Sequence, residues 1–225
     1  MEINHLGIGM KAPNFEATTT FGPVKLSDYK GKWLILFSHP GDFTPVCTTE
    51  FIAFAKAQPE FAEKNTQLLG LSIDSNPSHL AWTYAIYMTT GVQIPFPVIA
   101  DRDGSIARLY GMIAPHASTQ ETVRNVFFID PNQTIRAILV YPLTNGRSIP
   151  EILRLLTALQ ETDRSHVVTP ANWQPGQPAL VPPPKSYDEL MARPVSYTHL
   201  DVYKRQHRYE YFRRGLWRNC FGGKI

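Results

Sequence analysis

The residue types and spacing that could do chemistry converge on one cysteine. The segment Phe37-Ser-His-Pro-Gly-Asp-Phe-Thr-Pro-Val-Cys-Thr-Thr-Glu50 joins an apolar run to a helical pattern and places Cys47 near the first turn of that helix. Unsatisfied backbone N–H groups and the helix dipole at such a position favour an anion. The thiolate is the reactive form of a cysteine, and a helix N-terminus with a cation nearby stabilises it. Thr44 precedes Cys47 by three residues. Its hydroxyl can face the same pocket and hydrogen-bond either to the thiolate or to a bound oxygen. Pro40 and Pro45 stiffen the loop and restrict water. A lone cysteine is otherwise more often a small buried hydrophobe, so it is the surrounding Thr-Pro-Val-Cys-Thr-Thr that favours a nucleophile here.

Strands and helices that could position this segment are legible on either side of it. Trp33-Leu-Ile-Leu-Phe37 and Leu68-Leu-Gly-Leu-Ser-Ile73 are apolar runs suited to strands buried on both faces. Between them a helical pattern extends from about Thr44 to Lys64, with Phe51, Phe54, Ala55 and Phe61 at near-helical spacing. Pro59 is expected to kink or split it. Ser75-Asn-Pro77 offers an N-cap followed by proline in the first turn, with a helix running to about Gly91, and Phe96–Ala100 reads as a short strand. Asn125–Ile129 and Ile135–Val140 flank the turn Asp130-Pro-Asn-Gln133 as a hairpin of core strands. Ser148-Ile-Pro-Glu151 has capping-box spacing, and Ile152, Leu155, Leu156 and Leu159 mark the apolar face of a last helix. The alternation predicts an α/β layer over residues 1–163. Six prolines between His166 and Lys185 then favour an extended arm, able to wrap a partner subunit, over a second core.

Composition narrows the classes. A chain of 225 residues that is 43% apolar and 12% aromatic can bury one good core. No unbroken apolar run, Trp33–Phe37 included, exceeds five residues, far short of the ~20 residues of a membrane-spanning helix. The start Met-Glu-Ile-Asn-His lacks the basic and apolar regions of a signal peptide. Cys47 and Cys220 alone make no disulfide framework, no Cys or His pair has metal-ligand spacing, and no flavin or nucleotide motif is present. A reducing cytoplasm and no cofactor are therefore expected. The net charge of +3 divides at Pro194: residues 195–225 hold seven Lys/Arg and two Asp/Glu, which leaves 15 against 17, or −2, in the rest. The electrostatic case for nucleic-acid binding disappears with that division.

Pro40, Thr44 and Cys47 match the P-x-x-x-T-x-x-C signature of peroxiredoxins, within a longer string, His39-Pro-Gly-Asp-Phe-Thr-Pro-Val-Cys-Thr-Thr-Glu50, that resembles the one-cysteine class. The likeness runs from Gly9-Met-Lys-Ala-Pro-Asn-Phe15 through Thr122–Asp130 and Tyr141–Arg147 to Pro182-Pro-Pro-Lys185, about 185 residues. It implies a thioredoxin-like fold with a C-terminal arm and a thiol peroxidase acting on hydrogen peroxide and organic hydroperoxides through a cysteine sulfenic acid. By this resemblance Arg124 is the catalytic arginine, although its bland alternative is a strand-end surface charge. Arg147 and Glu50 resemble residues that hold Arg124 and the peroxide geometry, or else ordinary surface charges. His39 resembles the histidine beside the pocket, where a lone histidine is otherwise more often structural. The resemblance also implies an external thiol reductant, thioredoxin-like or of low molecular weight, and a homodimer or decamer. Some mammalian members hydrolyse phospholipids with a serine just before the first core strand; Lys30-Gly-Lys-Trp33 offers none.

Two other readings compete. A general thiol–disulfide oxidoreductase usually carries Cys-x-x-Cys, and position 50 is Glu. A redox-sensing or holdase-like binding protein could use the same cysteine without turnover.

The end of the chain reads differently. Val195–Gln206, VSYTHLDVYKRQ, can be encoded by a DNA string that is its own reverse complement once the last two bases of a Pro194 codon are included. It resembles two transposon ends used in sequencing-library preparation, joined head to head. The expected organisation is a peroxidase domain over 1–163, a dimerisation arm over 164–194, and a non-native segment over 195–225 that includes Cys220.

Overall fold

The computed structural model describes residues 6–192. The readings for 195–225 and Cys220 lie outside those residues. The described chain falls into two compact units that meet between Leu153 and Arg154.

In the first unit, β1 (Glu16–Thr19) and β2 (Gly22–Lys25) form a tight antiparallel pair, with Thr19 Oγ1 donating to the Gly22 carbonyl at 2.6 Å. A 3-10 turn, Leu26–Tyr29, leads to β3 (Trp33–Ser38), all six of whose residues are buried. Next come α1 (Pro45–Glu63), β4 (Thr66–Ser72), α2 (Asn76–Thr90), β5 (Val98–Ala100), α3 (Ser105–Leu109), β6 (Arg124–Ile129), β7 (Ile135–Tyr141) and the start of α4 (Ile149–Ser165). The seven strands make one mixed sheet in the order β2-β1-β5-β4-β3-β6-β7. β3 sits parallel to β4 on one side and antiparallel to β6 on the other. Both of its faces are covered, since side chains pointing either way are buried, which is why its sequence is continuously apolar rather than alternating.

α1 covers one face of this centre. Phe37 of β3 stacks on Phe54 of α1 with ring centroids 4.2 Å apart and meets Phe51 and Phe96 edge-on. Phe51, Phe54, Ala57 and Phe61 are buried, so Ala57 rather than Ala55 completes the apolar face. Pro59 lies inside α1 without splitting it. The missing hydrogen bond of one proline costs less than exposing the buried aromatics on either side of it. α2 begins and ends on its expected signals: Ser75 accepts from the Ser78 N–H, Pro77 lies in the first turn, and Gly91 closes the helix at φ 73°.

The second unit continues α4 from Arg154. Val168 and Leu180 exchange two backbone hydrogen bonds of 2.9 and 2.8 Å, closing a loop within the proline-rich segment. Inside it the buried Trp173 donates through Nε1 to the Gln177 carbonyl at 3.0 Å, and Arg154 donates to the Trp173 carbonyl at 3.1 Å. A short helix, α5 (Tyr187–Met191), ends the described chain.

Candidate active site

The site lies wholly in the first unit, where the end of β3, the start of α1, the start of β6 and the loop after β7 meet. Thr44 is the N-cap of α1 and Pro45 its first residue, so Cys47 stands at the third helical position. Pro45 brings no N–H and Thr44 makes no side-chain cap. The amide hydrogens of Val46 and Cys47 are therefore left among the orphan donors of the first turn. The Thr44 hydroxyl instead donates to the Gly41 carbonyl at 2.9 Å, which leaves its oxygen free to accept.

Cys47 is fully buried and unpaired in any disulfide. Its Sγ is 3.3 Å from Arg124 Nη1, and the same nitrogen is 2.7 Å from Glu50 Oε2. Arg124 cannot swing away, because its Nε and Nη2 both donate to the Leu143 carbonyl, at 3.1 and 2.8 Å. Glu50, one helical turn after Cys47, is itself clamped by Arg147. Arg147 gives Oε1 its backbone N–H at 2.8 Å and Nε at 2.9 Å, and gives Oε2 its Nη2 at 2.6 Å. Arg147 Nη1 donates to the carbonyls of Ser38 and Asn125, and its guanidinium lies 5.2 Å from the Phe37 ring centroid and 5.6 Å from that of Phe54. All four side chains are buried.

Burial by itself pushes the Glu50 carboxyl up; hydrogen bonds and charge from Arg147, with the charge of Arg124, outweigh it and hold the group below its ordinary value of 4.5. A depressed folded-state value means that the ionised form stabilises the fold above the unfolded value and that this contribution is lost as pH falls through the folded one. Thermal unfolding of the wild type should therefore show a Tm that drops on acidification below 4.5. Glu50→Gln should start from a lower Tm at neutral pH and fall less steeply. Identical acid slopes would show that this carboxylate is not a source of stability.

His39 and Pro40 are also buried, at the start of the loop between β3 and α1. His39 stacks on Trp82 and meets Phe51 edge-on, its Nε2 lies 3.1 Å from Asp42 Oδ1, and its Nδ1 has no hydrogen-bond partner. Burial lowers its proton affinity, and the Asp42 hydrogen bond only partly offsets this. Asp42 in turn meets His79 of α2, a residue the sequence reading passed over. The available signal was a histidine on the buried stripe His79, Trp82 and Ile86. Ligand atoms of His39, Asp42 and His79 lie within 4.8 Å of one another, the one such group among the described residues at which a cation could sit. Also unforeseen were the Leu143 carbonyl as an arginine clamp and the Ser38 hydroxyl, which joins the Val123 carbonyl to the Asn125 N–H.

The arrangement is a buried thiol held against a fixed cation at a helix start, with room in its chemistry for an oxygen ligand. Comparison with known proteins points the same way. Residues 8–138 match the model of the AhpC/TSA family, and residues 158–193 match that of the C-terminal domain of 1-Cys peroxiredoxin. Peroxiredoxin 2 of Caldanaerobacter subterraneus subsp. tengcongensis is 62% identical over 186 residues, 83% of this chain and 84% of the relative. A peroxiredoxin of Aquifex aeolicus is 52% identical over 197 residues, 83% and 89% of the two chains. The crystal structure of a peroxiredoxin 6 of Arenicola marina superposes with a TM-score of 0.76 at 39% identity, covering 82% of this chain and 87% of that one. A yeast mitochondrial 1-Cys peroxiredoxin, whose thiol is resolved through glutathione and thioredoxin systems, gives 0.76 at 43% identity, covering 87% and 95%.

Proposed function

The chain belongs to the peroxiredoxin family and is a thiol-dependent peroxidase, and we propose that Cys47 is its peroxide-attacking thiol, served by Thr44, Arg124 and the backbone at Pro40–Cys47. The observation that carries this assignment is the 3.3 Å approach of Arg124 Nη1 to Cys47 Sγ inside a cluster of buried charges. Arg124 and Arg147 bring two positive charges there, and Glu50 brings one negative charge. Buried charge is costly unless paired. A thiolate at Cys47 brings the cluster to neutrality, and the neutral thiol leaves it one anion short.

In the reaction the Cys47 thiolate attacks one peroxide oxygen, the S–O bond forms as the O–O bond breaks, and the electron pair of that bond leaves with the second oxygen. The peroxide's proton ends on the leaving oxygen, so the products are water or an alcohol and the sulfenate, which protonates to a sulfenic acid. Arg124 and the amide hydrogens of Val46 and Cys47 offer donors to the developing negative charge, while the Thr44 oxygen can accept from the peroxide O–H. Glu50 and Arg147 fix the position of Arg124, and His39 supports the loop. The protein acts on peroxides with a thiol reductant, which condenses with the sulfenic acid before a second thiol releases Cys47. The reductant is proposed to be thioredoxin-like or a low-molecular-weight thiol, as in the yeast relative. The comparisons favour this catalytic reading over a redox sensor or holdase.

Residues 1–163 are proposed as the peroxidase domain and 164–194 as an arm that builds a homodimer or decamer. Exposed Val181, Tyr187, Leu190 and Met191 in that arm support a partner surface. Cysteine usage supports a cytoplasmic setting, and no helix among the described residues is long and apolar enough to cross a membrane. The natural chain is proposed to diverge near Pro194. The test is peroxide consumption by residues 1–194 and by the full chain, each with dithiothreitol and then with thioredoxin plus its reductase. Equal turnover supports Cys47 as sufficient, whereas turnover confined to the full chain would make Cys220 a resolving thiol and overturn the reading of 195–225.

A further inference from the structure

We propose that Asp42 and His79 form a positioning pair for the peroxide-binding loop, with the buried His79 ring held by hydrogen bonds between the Ile99 carbonyl and the Asp42 carboxylate. Asp42 lies midway between Pro40 and Thr44, and its side chain is 2% exposed. It touches none of the arginine cluster. Its Oδ1 meets His39 Nε2 at 3.1 Å and His79 Nδ1 at 3.0 Å, and its Oδ2 meets His79 Nδ1 at 2.9 Å and the Ser78 hydroxyl at 2.7 Å. Its backbone N–H donates to Asp74 Oδ2 at 2.9 Å, an oxygen that also accepts from Ser72 Oγ at 2.8 Å. The loop is thus fastened at its midpoint to the start of α2.

The positions of the protons follow from which atoms can accept. The Ile99 carbonyl has only lone pairs to offer and lies 3.1 Å from His79 Nε2, so that nitrogen carries a hydrogen. His79 Nδ1 faces both oxygens of Asp42, and a bare nitrogen there would set its lone pair against a carboxylate. One proton must lie between them. Asp42 already accepts from Ser78, and from His39 through Nε2, since His39 Nδ1 has no partner. Burial alone would push the Asp42 carboxyl up, but hydrogen bonds from His39 and His79 outweigh it and hold the group well below the usual carboxylate range. That proton ties the two side chains together, and His79 is fully buried, so water does not compete for it.

A second observation shows what the fastening holds. Phe43, between Asp42 and Thr44, has φ of 56° and is 61% exposed. A bulky side chain in the left-handed region is strained and persists only where its surroundings impose it. No burial of its own ring holds it. The fixed points are the Asp42 anchor on one side and the Thr44-to-Gly41 hydrogen bond on the other. Released at Asp42, the loop can relax the Phe43 backbone and move Thr44 from its place at the N-cap of α1, while α1 and Arg124 still hold the thiol itself.

The inference rests on the peroxidase assignment above and deepens it, so the wild type is the control. The reduced full-length protein, labelled with nitrogen-15 in histidine, should show His79 Nδ1 hydrogen-bonded through a proton to Asp42, and Asp42→Asn should lose that bond. A His79 Nδ1 without a proton in the wild type, whether bare or held by a metal ion, overturns the proposal. The rates of Cys47 oxidation by hydrogen peroxide and of its alkylation by iodoacetamide should then separate. In Asp42→Asn, and in His79→Gln should the first variant not fold, peroxide oxidation should fall on the order of tenfold to a hundredfold. Alkylation, which needs the thiol but not the peroxide geometry, should change far less. Equal loss of both rates, or no loss in either, overturns the positioning role. A wild type that fails to react with peroxide would instead remove the assignment of Cys47.

Discussion

Cys47→Ser is expected to reduce peroxide consumption to the uncatalysed level while leaving the protein folded. Serine is nearly isosteric, so the fully buried position stays filled. What disappears is the nucleophile. A hydroxyl remains protonated near neutral pH and lacks the polarizable sulfur that can accept an oxygen and later release it to a thiol. None of the groups around it can substitute: Arg124, Arg147 and Glu50 are committed to one another, and the Thr44 hydroxyl is bonded to the Gly41 carbonyl. The variant also leaves the Arg124–Arg147–Glu50 cluster one anion short, so it should bind a small anion at the site more tightly than the thiolate form does. Peroxide consumption with dithiothreitol as reductant measures the first effect. Normal turnover in the variant would transfer the chemistry away from Cys47.

Arg124→Gln is expected to lower the second-order rate constant for oxidation of Cys47 on the order of 10²- to 10³-fold, the usual cost of removing one preorganised donor from developing negative charge. The estimate follows from geometry. Nη1 is shared between Cys47 Sγ and Glu50, and the rest of the guanidinium is fixed on the Leu143 carbonyl, so the donor needs no reorganisation when charge moves from sulfur to the leaving oxygen. Glutamine keeps hydrogen-bonding capacity but removes the charge. Arg124→Lys should fall between the two, because it restores a cation without the planar fork that holds Leu143 and Glu50 together. Glu50 keeps Arg147 in every case, so the fold should survive with a modest fall in Tm. Stopped-flow oxidation of the reduced protein gives the rates directly, and a loss of only a few fold in Arg124→Gln would assign the cation a structural rather than a chemical role.

Much of the scaffold was legible because its signals are local. β3 and β4 are buried on both faces and so appear as unbroken apolar runs. α2 begins at Ser75 and stops at Gly91 on cap chemistry that acts over one turn, and the hairpin of β6 and β7 turns at Asp130, whose carboxylate accepts from the Asn132 and Thr134 N–H groups. β1, β2 and α3 were not read, because four- or five-residue segments have no stability of their own and exist only through their partners, as at the single Thr19–Ile99 pairing of β1 with β5. Pro59 shows the same reason in reverse: the local rule calls for a kink or a split, and the packing of Phe54 and Phe61 on the core overrides it.

The sequence by itself determined the short-range half of the site: a helix that begins at Thr44 and Pro45, a cysteine in its first turn, and a glutamate one turn later. Backbone preference and capping act between near neighbours, and a chain carries that information in its order. Only the tertiary structure decided what faces the thiol. Arg124 is 77 residues from Cys47, Arg147 is 97 from Glu50, and His79 is 37 from Asp42. Each of these contacts exists because β3 is held between β4 and β6 by the burial of apolar side chains. That burial is non-directional and non-local. The partners of a buried charge are therefore set by how the sheet assembles and not by any spacing along the chain.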